Sequence, residues 1–256
     1  MASNCKFGKD LDLAYQVQQL LFPSNSPLCS WCCTGVKNRM ASKVGGDYFD
    51  FITMSDQCQS IFLGDITGHG VAASVIMSLV YGYIHRCTLG DCDPQGIVAG
   101  VNKFLLNFAH RSRRFDHHFS TTLFFAIIDP NSLNMHYVNC GHMPPLVKHN
   151  QQVTPLLTSG PPLGFFDNPE MEVHRYSFEP GDRLLLFTDG MIEAKNGSGE
   201  MFGMERLKNE LLHGAGDHID LLDELFDKID SFCDNQENED DMTAILLDFN
   251  RPFSAY

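Results

Sequence analysis

Residues 44–70, VGGDYFDFITMSDQCQSIFLGDITGHG, constrain the fold more than any other part of the chain. Aromatic and β-branched residues on both sides of residues 55–57 are typical of two strands joined by a polar turn. A turn centred on Asp56 places Asp47 opposite Asp65 on one sheet face, with Cβ atoms about 5 Å apart. A shift of one residue in this register would put the two acids on opposite faces.

Two carboxylates this close repel each other, so either one is protonated or a cation lies between them. Further acids downstream favour the cation. After Asp65, the sequence Ile-Thr-Gly-His-Gly leads into an apolar run at residues 71–84, which predicts a tight turn and a helix. The free amides at such a helix start suit a phosphate group, but an ordinary turn and helix cap explain the same pattern.

Composition excludes several classes of function. The chain has 256 residues, is 43% hydrophobic and 20% charged, and shows no break in composition, which predicts one large domain. Its formal net charge of -14 disfavours nucleic acid and anionic membranes as partners. No apolar run approaches the ~20 residues that cross a bilayer, and the first residues lack a signal-peptide core. We therefore expect a cytoplasmic protein.

Cysteine usage points to the same kind of compartment. The nine cysteines follow no regular framework, which favours reduced thiols over a disulfide scaffold. Residues 29–32 form a Cys-x-x-Cys motif, but no second close pair follows at the spacing of a zinc site. We interpret these cysteines as structural thiols of a strand.

An amphipathic helix is predicted at residues 10–22, before Pro23. One face of it carries Leu13, Val17, Leu20 and Leu21. This face either packs on its own domain or docks a second copy or an upstream domain. We interpret residues 1–24 as a linker or switch helix, residues 25–250 as the main domain and residues 251–256 as a tail.

Two more strand pairs are predicted downstream. Residues 121–129 and 134–140 have the pattern of a hairpin, and residues 172–178 and 183–187 that of a third pair across a Pro-Gly-Asp turn. Helices that would cover the sheets are predicted at residues 70–87, 94–110, 204–212 and 219–232, and a last strand at residues 242–249. His142, in the Gly-His-Met-Pro-Pro turn, is either catalytic or holds a proline-rich loop by hydrogen bonds, and we favour the second role.

Four acidic positions share one setting, because each lies at the end of a predicted strand. They are Asp47, Asp65, Asp189 and either Asp240 or Asp241. No His or Cys cluster accompanies them, and an all-oxygen ligand set suits magnesium or manganese. Carboxylates around two such ions form the arrangement that activates a water molecule and holds a phosphoryl group for hydrolysis.

The motifs VGGDYFDF, GDITGHG, FSTTLFFAIID, YVNCGHMPPL, PLGF, EPGDRLLLFTDGMIEAKN and DDMT occur in this order. Together they resemble the SpoIIE/RsbU-type branch of the metal-dependent protein phosphatases, which have the protein phosphatase 2C-like or PPM-type fold. The resemblance covers about residues 10–250. It implies an α+β fold, a four-layer αββα sandwich of two antiparallel sheets flanked by helices, with residues 25–250 as the phosphatase domain.

The resemblance also implies the centre of the site. Asp65 would bridge two divalent cations, Mn²⁺ or Mg²⁺, and the Ile66 carbonyl would also coordinate. Asp47 would be a ligand or an acid close behind the ligands. The nucleophile would be a metal-activated water molecule, without a phosphoenzyme.

Asp189 and Asp240 are implied as ligands on the side of the second metal. Asp240 is preferred over Asp241, because related phosphatases have an Asp-Asn pair here and Asp240 matches its first position. A phosphate-gripping arginine of distant relatives has no clear counterpart, and Lys43 and Arg39 are the candidates for that role.

The implied activity is dephosphorylation of phosphoserine or phosphothreonine in a small regulatory protein, of the type of the anti-sigma-factor antagonists in bacterial partner switching. The N-terminal helix resembles a linker that governs dimerisation and activation, which predicts a homodimer through this helix. The alternative is a non-catalytic partner-binding module of the same fold. Four acids in one cleft favour the enzyme, and the acidic surface disfavours a small-molecule phosphatase.

Overall fold

The predicted helices and strands are present, and the structure adds a short strand at Gln152–Pro155 and a short helix at Gly190–Glu193. The computed structural model describes residues 2–23, 31–54, 58–90, 93–112, 119–234 and 239–250. Its strands are β1 (Cys32–Arg39), β2 (Asp47–Thr53), β3 (Gln59–Ile66), β4 (Thr121–Asp129), β5 (Asn134–Cys140), β6 (Leu146–His149), β7 (Gln152–Pro155), β8 (His174–Ser177), β9 (Arg183–Phe187) and β10 (Met242–Phe249). Its helices are α1 (Ala2–Gln19), α2 (Gly70–Cys87), α3 (Pro94–Ser112), α4 (Gly190–Glu193), α5 (Met204–His213) and α6 (His218–Phe232).

The strands form two antiparallel sheets of five strands each. Sheet 1 has the order β1-β10-β9-β6-β7, and sheet 2 has the order β2-β3-β4-β5-β8. Helices α2 and α3 pack on sheet 2, and α5 and α6 pack on sheet 1. The predicted four-layer αββα sandwich is therefore confirmed.

Strand β9 shows how a continuous apolar run serves this architecture. Successive strand residues point to opposite faces. Leu184 and Leu186 join the apolar cluster that fills the space between the sheets, and Leu185 and Phe187 join the cluster under α5 and α6. Because both faces of the strand are covered, its sequence needs no alternation of polar and apolar residues.

The predicted register of the first hairpin is confirmed. Asp47 pairs with Asp65, and the pairing continues to Thr53 opposite Gln59. The turn at residues 55–57 lies outside the described residues. The second hairpin is also confirmed, since β4 and β5 pair from Leu123–Cys140 to Asp129–Asn134.

The predicted third strand pair is wrong. Strand β8 pairs with β5 in sheet 2, whereas β9 pairs with β10 and β6 in sheet 1. The turn between them carries the chain from one sheet to the other. There the ring of Phe178 stacks on Phe249 with centroids 3.8 Å apart, and the buried Asp182 carboxylate accepts a hydrogen bond from the Glu179 N–H at 2.9 Å. These contacts fix a turn that connects the two sheets, whereas a hairpin turn would connect two strands of one sheet.

Helix α1 begins earlier than predicted, and most of its apolar face is not covered by its own domain. Leu13, Val17 and Leu20 are exposed, Leu20 at 83%. The chain is anchored after the helix by Phe22, whose ring stacks on Phe49 with centroids 4.7 Å apart. Leu21, the fourth residue of the predicted face, packs against the core of the domain, so Leu13, Val17 and Leu20 are the part of the face left open to a partner. None of the described helices is long and apolar enough to cross a membrane.

The predicted strand thiols lie partly, and the predicted C-terminal tail wholly, outside the described part of the chain. Cys32 and Cys33 begin β1, as expected for strand thiols, but residues 29 and 30 are not described. Residues 251–256, the predicted tail, are not described either.

Candidate active site

Asp47 lies at the start of β2 and faces sheet 1. Its side chain is 1% exposed. Its Oδ2 accepts hydrogen bonds from Thr188 Oγ1 at 3.0 Å and from Thr243 Oγ1 at 2.5 Å. Both threonines belong to the β9 and β10 side of the sandwich, so this carboxylate joins the two sheets at one end of the space between them.

Asp65 lies beside a gap that a glycine leaves open. A Cβ atom on Gly46 would lie 2.8 Å from the Ile66 carbonyl oxygen and 3.1 Å from Asp65 Oδ1. These two oxygens therefore converge on the same small space, which any side chain at position 46 would begin to fill. The backbone around it is fixed, since the Ile66 N–H donates to the Gly46 carbonyl and Thr121 Oγ1 donates to the Asp65 carbonyl at 2.7 Å.

Asp189 and Asp240 come from sheet 1. Asp189 follows Thr188 at the end of β9 and is the N-cap residue of α4, and its side chain makes no capping hydrogen bond. Asp240 precedes β10, is exposed, and accepts a hydrogen bond from the Asp241 N–H at 2.8 Å. The two segments approach closely, because a Cβ on Gly190 would lie 2.1 Å from the Asp241 carbonyl oxygen.

Asp241 has a different role from its neighbour. It is buried, and both of its carboxylate oxygens accept backbone hydrogen bonds, Oδ1 from Ala41 and Oδ2 from Gly46, each at 2.8 Å. Asp241 thus fixes the loop that leads into Asp47. This geometry favours Asp240 over Asp241 as a ligand whose oxygens can turn to a cation.

The acids act on one another electrostatically. Burial raises the pKa of Asp65 to about 9, with further increases from Asp47, Asp189, Asp240 and Asp241. Burial and the charge of Asp241 hold the pKa of Asp47 well above its usual range. The pKa of Asp189 is raised by burial first and then by Asp240. The ionised cluster is therefore unfavourable unless a positive charge compensates it.

The donor set fits a hydrated divalent cation. Within the described residues, no three His, Cys, Asp or Glu side chains converge closely enough to enclose a bare ion. Mg²⁺ usually keeps several of its waters and takes only one or two carboxylates from the protein. Carboxylates at the rim of an open space, with the Ile66 carbonyl beside them, match that requirement.

The two candidates for gripping phosphate are engaged elsewhere. Arg39 forms a two-pronged ion pair with Asp230, in which Nη2 donates to Oδ2 at 2.9 Å, and its guanidinium lies over the ring of Phe226. Lys43 pairs with Asp12 of α1 on an exposed surface. Neither contact directs a positive charge at the acids.

His142 is buried in the turn after β5. Its backbone N–H donates to Asn139 Oδ1 at 3.0 Å, and its Nδ1 lies 2.9 Å from Thr122 Oγ1. Burial lowers the pKa of His142 to about 3. The ring is therefore neutral. The backbone N–H of His142 holds the turn, which agrees with the role favoured from the sequence, and the ring reaches across to Thr122 of β4.

The sequence did not indicate the hydroxyl groups around the acids. Thr188 and Thr243 bind Asp47 directly, and Thr122 is the cross-strand partner of Asp65. Threonine is common in strands for steric reasons alone. The signal that could have identified two of them is their position next to predicted ligands, in Phe-Thr-Asp-Gly and Asp-Asp-Met-Thr.

Comparison with known proteins places this site in context. The family model described as Stage II sporulation protein E (SpoIIE) matches residues 55–250. The chain is 26% identical over 267 residues to Protein IcfG of Synechocystis sp., covering 93% of this chain and 41% of IcfG. It is 23% identical over 209 residues to phosphoserine phosphatase RsbP of Bacillus subtilis, covering 81% of this chain and 50% of RsbP. The chain thus spans half or less of the length of these relatives.

Solved structures share the fold at low sequence identity. The SiaA-PP2C domain of Pseudomonas aeruginosa has a TM-score of 0.84 and 19% identity, with 97% of this chain and 99% of that chain covered. The PP2C phosphatase domain of SpoIIE from Bacillus subtilis has a TM-score of 0.73 and 19% identity, with 88% and 64% covered. RsbX, solved in complex with magnesium, has a TM-score of 0.64 and 16% identity, with 88% and 99% covered.

Proposed function

The chain belongs to the SpoIIE family, and from this premise we propose that it is a metal-dependent protein phosphatase that hydrolyses phosphoserine or phosphothreonine. The observation that carries the proposal is the meeting of acids from both sheets at one end of the sandwich. Asp47 and Asp65 are paired on sheet 2, and Asp189 and Asp240 raise the pKa of Asp65 from the other side.

The cofactors in this proposal are two divalent cations, Mn²⁺ or Mg²⁺. Asp47, Asp65, the Ile66 carbonyl, Asp189 and Asp240 would hold them. When bound, such ions supply Lewis acidity, an activated water molecule and a clamp for phosphate oxygens. The magnesium in RsbX agrees with the oxygen-only donor set of this chain.

The chain's own residues prepare the site for this chemistry. Thr188 and Thr243 donate to Asp47 Oδ2, which holds the carboxylate in one orientation and favours its ionised form. Gly46 leaves the space beside Asp65 open. Asp241 holds the loop that contains Gly46. These contacts position the acids before a cation arrives, which lowers the cost of binding it.

For the substrate, we propose a phosphorylated regulatory protein of the anti-sigma-factor antagonist type. The relative RsbP is a phosphoserine phosphatase. The net charge of -14 disfavours free anionic metabolites, whereas a protein substrate can supply contacts away from its phosphate. The alternative, a binding module without turnover, is separated from the enzyme by the first experiment below.

We also propose that α1 is a dimer or switch element. Its exposed Leu13, Val17 and Leu20 form an apolar face that a second copy could cover. Replacing Val17 and Leu20 with glutamate should halve the mass measured by light scattering, or change the activity. Unchanged mass and activity in the double variant would remove this role.

The test of the main proposal is hydrolysis of p-nitrophenyl phosphate and of a phosphoserine protein with Mn²⁺, with Mg²⁺ and with chelator. Asp65→Asn and Asp189→Asn should each lose about 100-fold or more in rate, because both acids are proposed metal ligands and even the loss of an outer-shell partner costs about 10–100-fold. Asp223→Asn is the matched control, because Asp223 is an exposed acid paired with Lys37 on the other side of sheet 1.

The outcomes separate the two readings. Activity that disappears with chelator and in both site variants, but not in the control, supports the phosphatase. A native chain that binds the phosphoserine protein but hydrolyses neither substrate with either metal contradicts it and supports the binding module.

A further inference from the structure

The row of side chains that contains Asp47 and Asp65 continues onto a third strand. Thr122 of β4 is opposite Asp65, just as Asp47 of β2 is opposite it on the other side. Direct cross-strand partners leave the same face of a sheet with Cβ atoms about 5 Å apart. Thr122 therefore presents a hydroxyl group next to the central acid of the site, and its side chain is only half-buried.

A buried histidine lies against this hydroxyl. His142 Nδ1 is 2.9 Å from Thr122 Oγ1, and the His142 side chain is 4% exposed. The hydrogen bond from its backbone N–H to Asn139 Oδ1 fixes the turn that carries it. Because the ring is neutral, one ring nitrogen carries the proton and the other accepts a hydrogen bond.

The two ring nitrogens have different surroundings. Nδ1 lies 2.9 Å from the hydroxyl oxygen of Thr122, whereas Nε2 is buried and has no hydrogen-bond partner among the residues that the structure describes. The hydrogen bond between the ring and Thr122 therefore holds this hydroxyl group at one position beside Asp65.

We propose that His142 is a positioning residue that holds the hydroxyl group of Thr122 beside Asp65, where its oxygen would join the outer shell of a divalent cation. The inference rests on the proposed function, because it needs a cation at Asp65. A hydroxyl group held at one position beside the acids can form a hydrogen bond with a water molecule of the cation. Outer-shell partners of this kind orient the ligands and tune metal affinity.

A purely structural histidine would behave differently. Leaving a ring nitrogen buried without a partner costs free energy, and a phenyl ring of similar size fills the same place without that cost. His142→Phe should therefore keep or raise the melting temperature in chelator, while it weakens Mn²⁺ binding. A histidine that only supports its turn would lose stability and leave the affinity of the folded protein unchanged.

The experiment measures Mn²⁺ affinity by isothermal titration calorimetry on the full chain, with the melting temperature in chelator beside it. We expect His142→Phe and Thr122→Val each to raise the Mn²⁺ dissociation constant about tenfold. Because both changes remove the same interaction, the double variant should bind within about twofold of the weaker single variant. Thr122→Ser keeps the hydroxyl and should bind like the native chain. His136→Phe, on the exposed face of β5, is the matched control.

The Mn²⁺ affinities test this proposal whether or not the protein hydrolyses a substrate. Native Mn²⁺ affinity in Thr122→Val, or equal losses in Thr122→Val and Thr122→Ser, would overturn the proposal, and so would additive losses in the double variant. If His142→Phe fails to fold, the valine and serine variants of Thr122 still carry the test. If the native chain binds Mn²⁺ but hydrolyses nothing, the proposed function fails while this inference is still measured by affinity.

Discussion

Gln18 of α1 and Gly45 of the loop before Asp47 hold each other by two hydrogen bonds. Gln18 Nε2 donates to the Gly45 carbonyl at 2.9 Å, and the Gly45 N–H donates to Gln18 Oε1 at 3.2 Å. The Gln18 side chain is 4% exposed. A buried side-chain amide that satisfies both backbone groups of one residue links the position of α1 to the loop of the site.

Gln18→Leu should therefore affect both stability and cation binding. It leaves the N–H and the carbonyl of Gly45 buried without partners, at about 1–3 kcal/mol for each group. At about 2–4 °C per kcal/mol for a domain near this size, the melting temperature should fall by at least several degrees. The measurement is thermal unfolding with and without Mn²⁺. Gln16→Leu, on the exposed side of the same helix, should change little; equal effects of the two changes would show that the link to Gly45 is unimportant.

Gly45 itself should not tolerate a side chain. A Cβ atom there would lie 2.1 Å from Asp241 Oδ2, and Asp241 cannot move without losing its hydrogen bonds to Ala41 and Gly46. Gly45→Ala should therefore lower the free energy of unfolding by about 2 kcal/mol or more, because the buried Asp241 carboxylate must either clash with the new methyl group or lose its hydrogen bonds. The check is a denaturant titration of Gly45→Ala and Gly82→Ala in parallel.

Gly82→Ala is the matched control for this substitution. Gly82 lies within α2 with no atom within 4 Å of its added Cβ, so alanine should stabilise the helix by about 0.5–1 kcal/mol. A Gly45→Ala protein as stable as the native chain would contradict the predicted clash.

Without metal, the protein should lose stability as the pH rises. The pKa of Asp65 in the folded state is raised to about 9, against about 3.9 in the unfolded chain. Between these values the folded state binds the proton more tightly, so its stability is greatest at low pH and declines toward the folded pKa. Melting temperatures in chelator should fall from pH 5 to pH 8, and Mn²⁺ should reverse the trend. Asp65→Asn in chelator should show a smaller slope; a slope equal to that of the native chain would contradict this assignment.

The ion pair of His149 and Asp182 should have the corresponding pH dependence at the other end of the molecule. The hydrogen bond and then the charge of the buried Asp182 raise the pKa of His149. A raised histidine pKa stabilises the fold fully below the unfolded value of about 6.5, and this contribution is lost as the pH rises through the folded pKa. The native chain should therefore exceed His149→Gln in melting temperature more at pH 5.5 than at pH 8.5. A difference that is constant or grows with pH would be inconsistent with this pair.

Local patterns predicted the hairpins but not the partner of every strand. The β2–β3 register followed from a polar turn between two apolar runs, and the structure confirms the Asp47–Asp65 pairing. Strands β8 and β9 also flank a turn, but they belong to different sheets. The deciding contact, Phe178 on Phe249, joins residues far apart in sequence, and no local pattern contains it.

The same distinction applies to the site. Asp47, Asp65, Asp189 and either Asp240 or Asp241 could be selected because each lies at a predicted strand end, and the choice of Asp240 came from the family resemblance. The structure brings these acids to one end of the sandwich. Which acid anchors a loop depends on distant backbone groups: Asp241 is held by Ala41 and Gly46. The sequence alone does not show this separation of roles between two adjacent aspartates.

The pairing of β1 with β10 has a consequence for biosynthesis. Cys32 pairs with Phe249 and Arg39 with Met242, so sheet 1 joins the first and the last of the strands that the structure describes. Contacts so distant in sequence form late, because a long loop must close first. Sheet 2 can assemble while the chain is still being made, but Thr243 reaches Asp47, and Asp240 comes near Asp65, only with β10. A nascent chain on the ribosome therefore has half of its acid cluster in place and cannot complete it until the last strand has emerged.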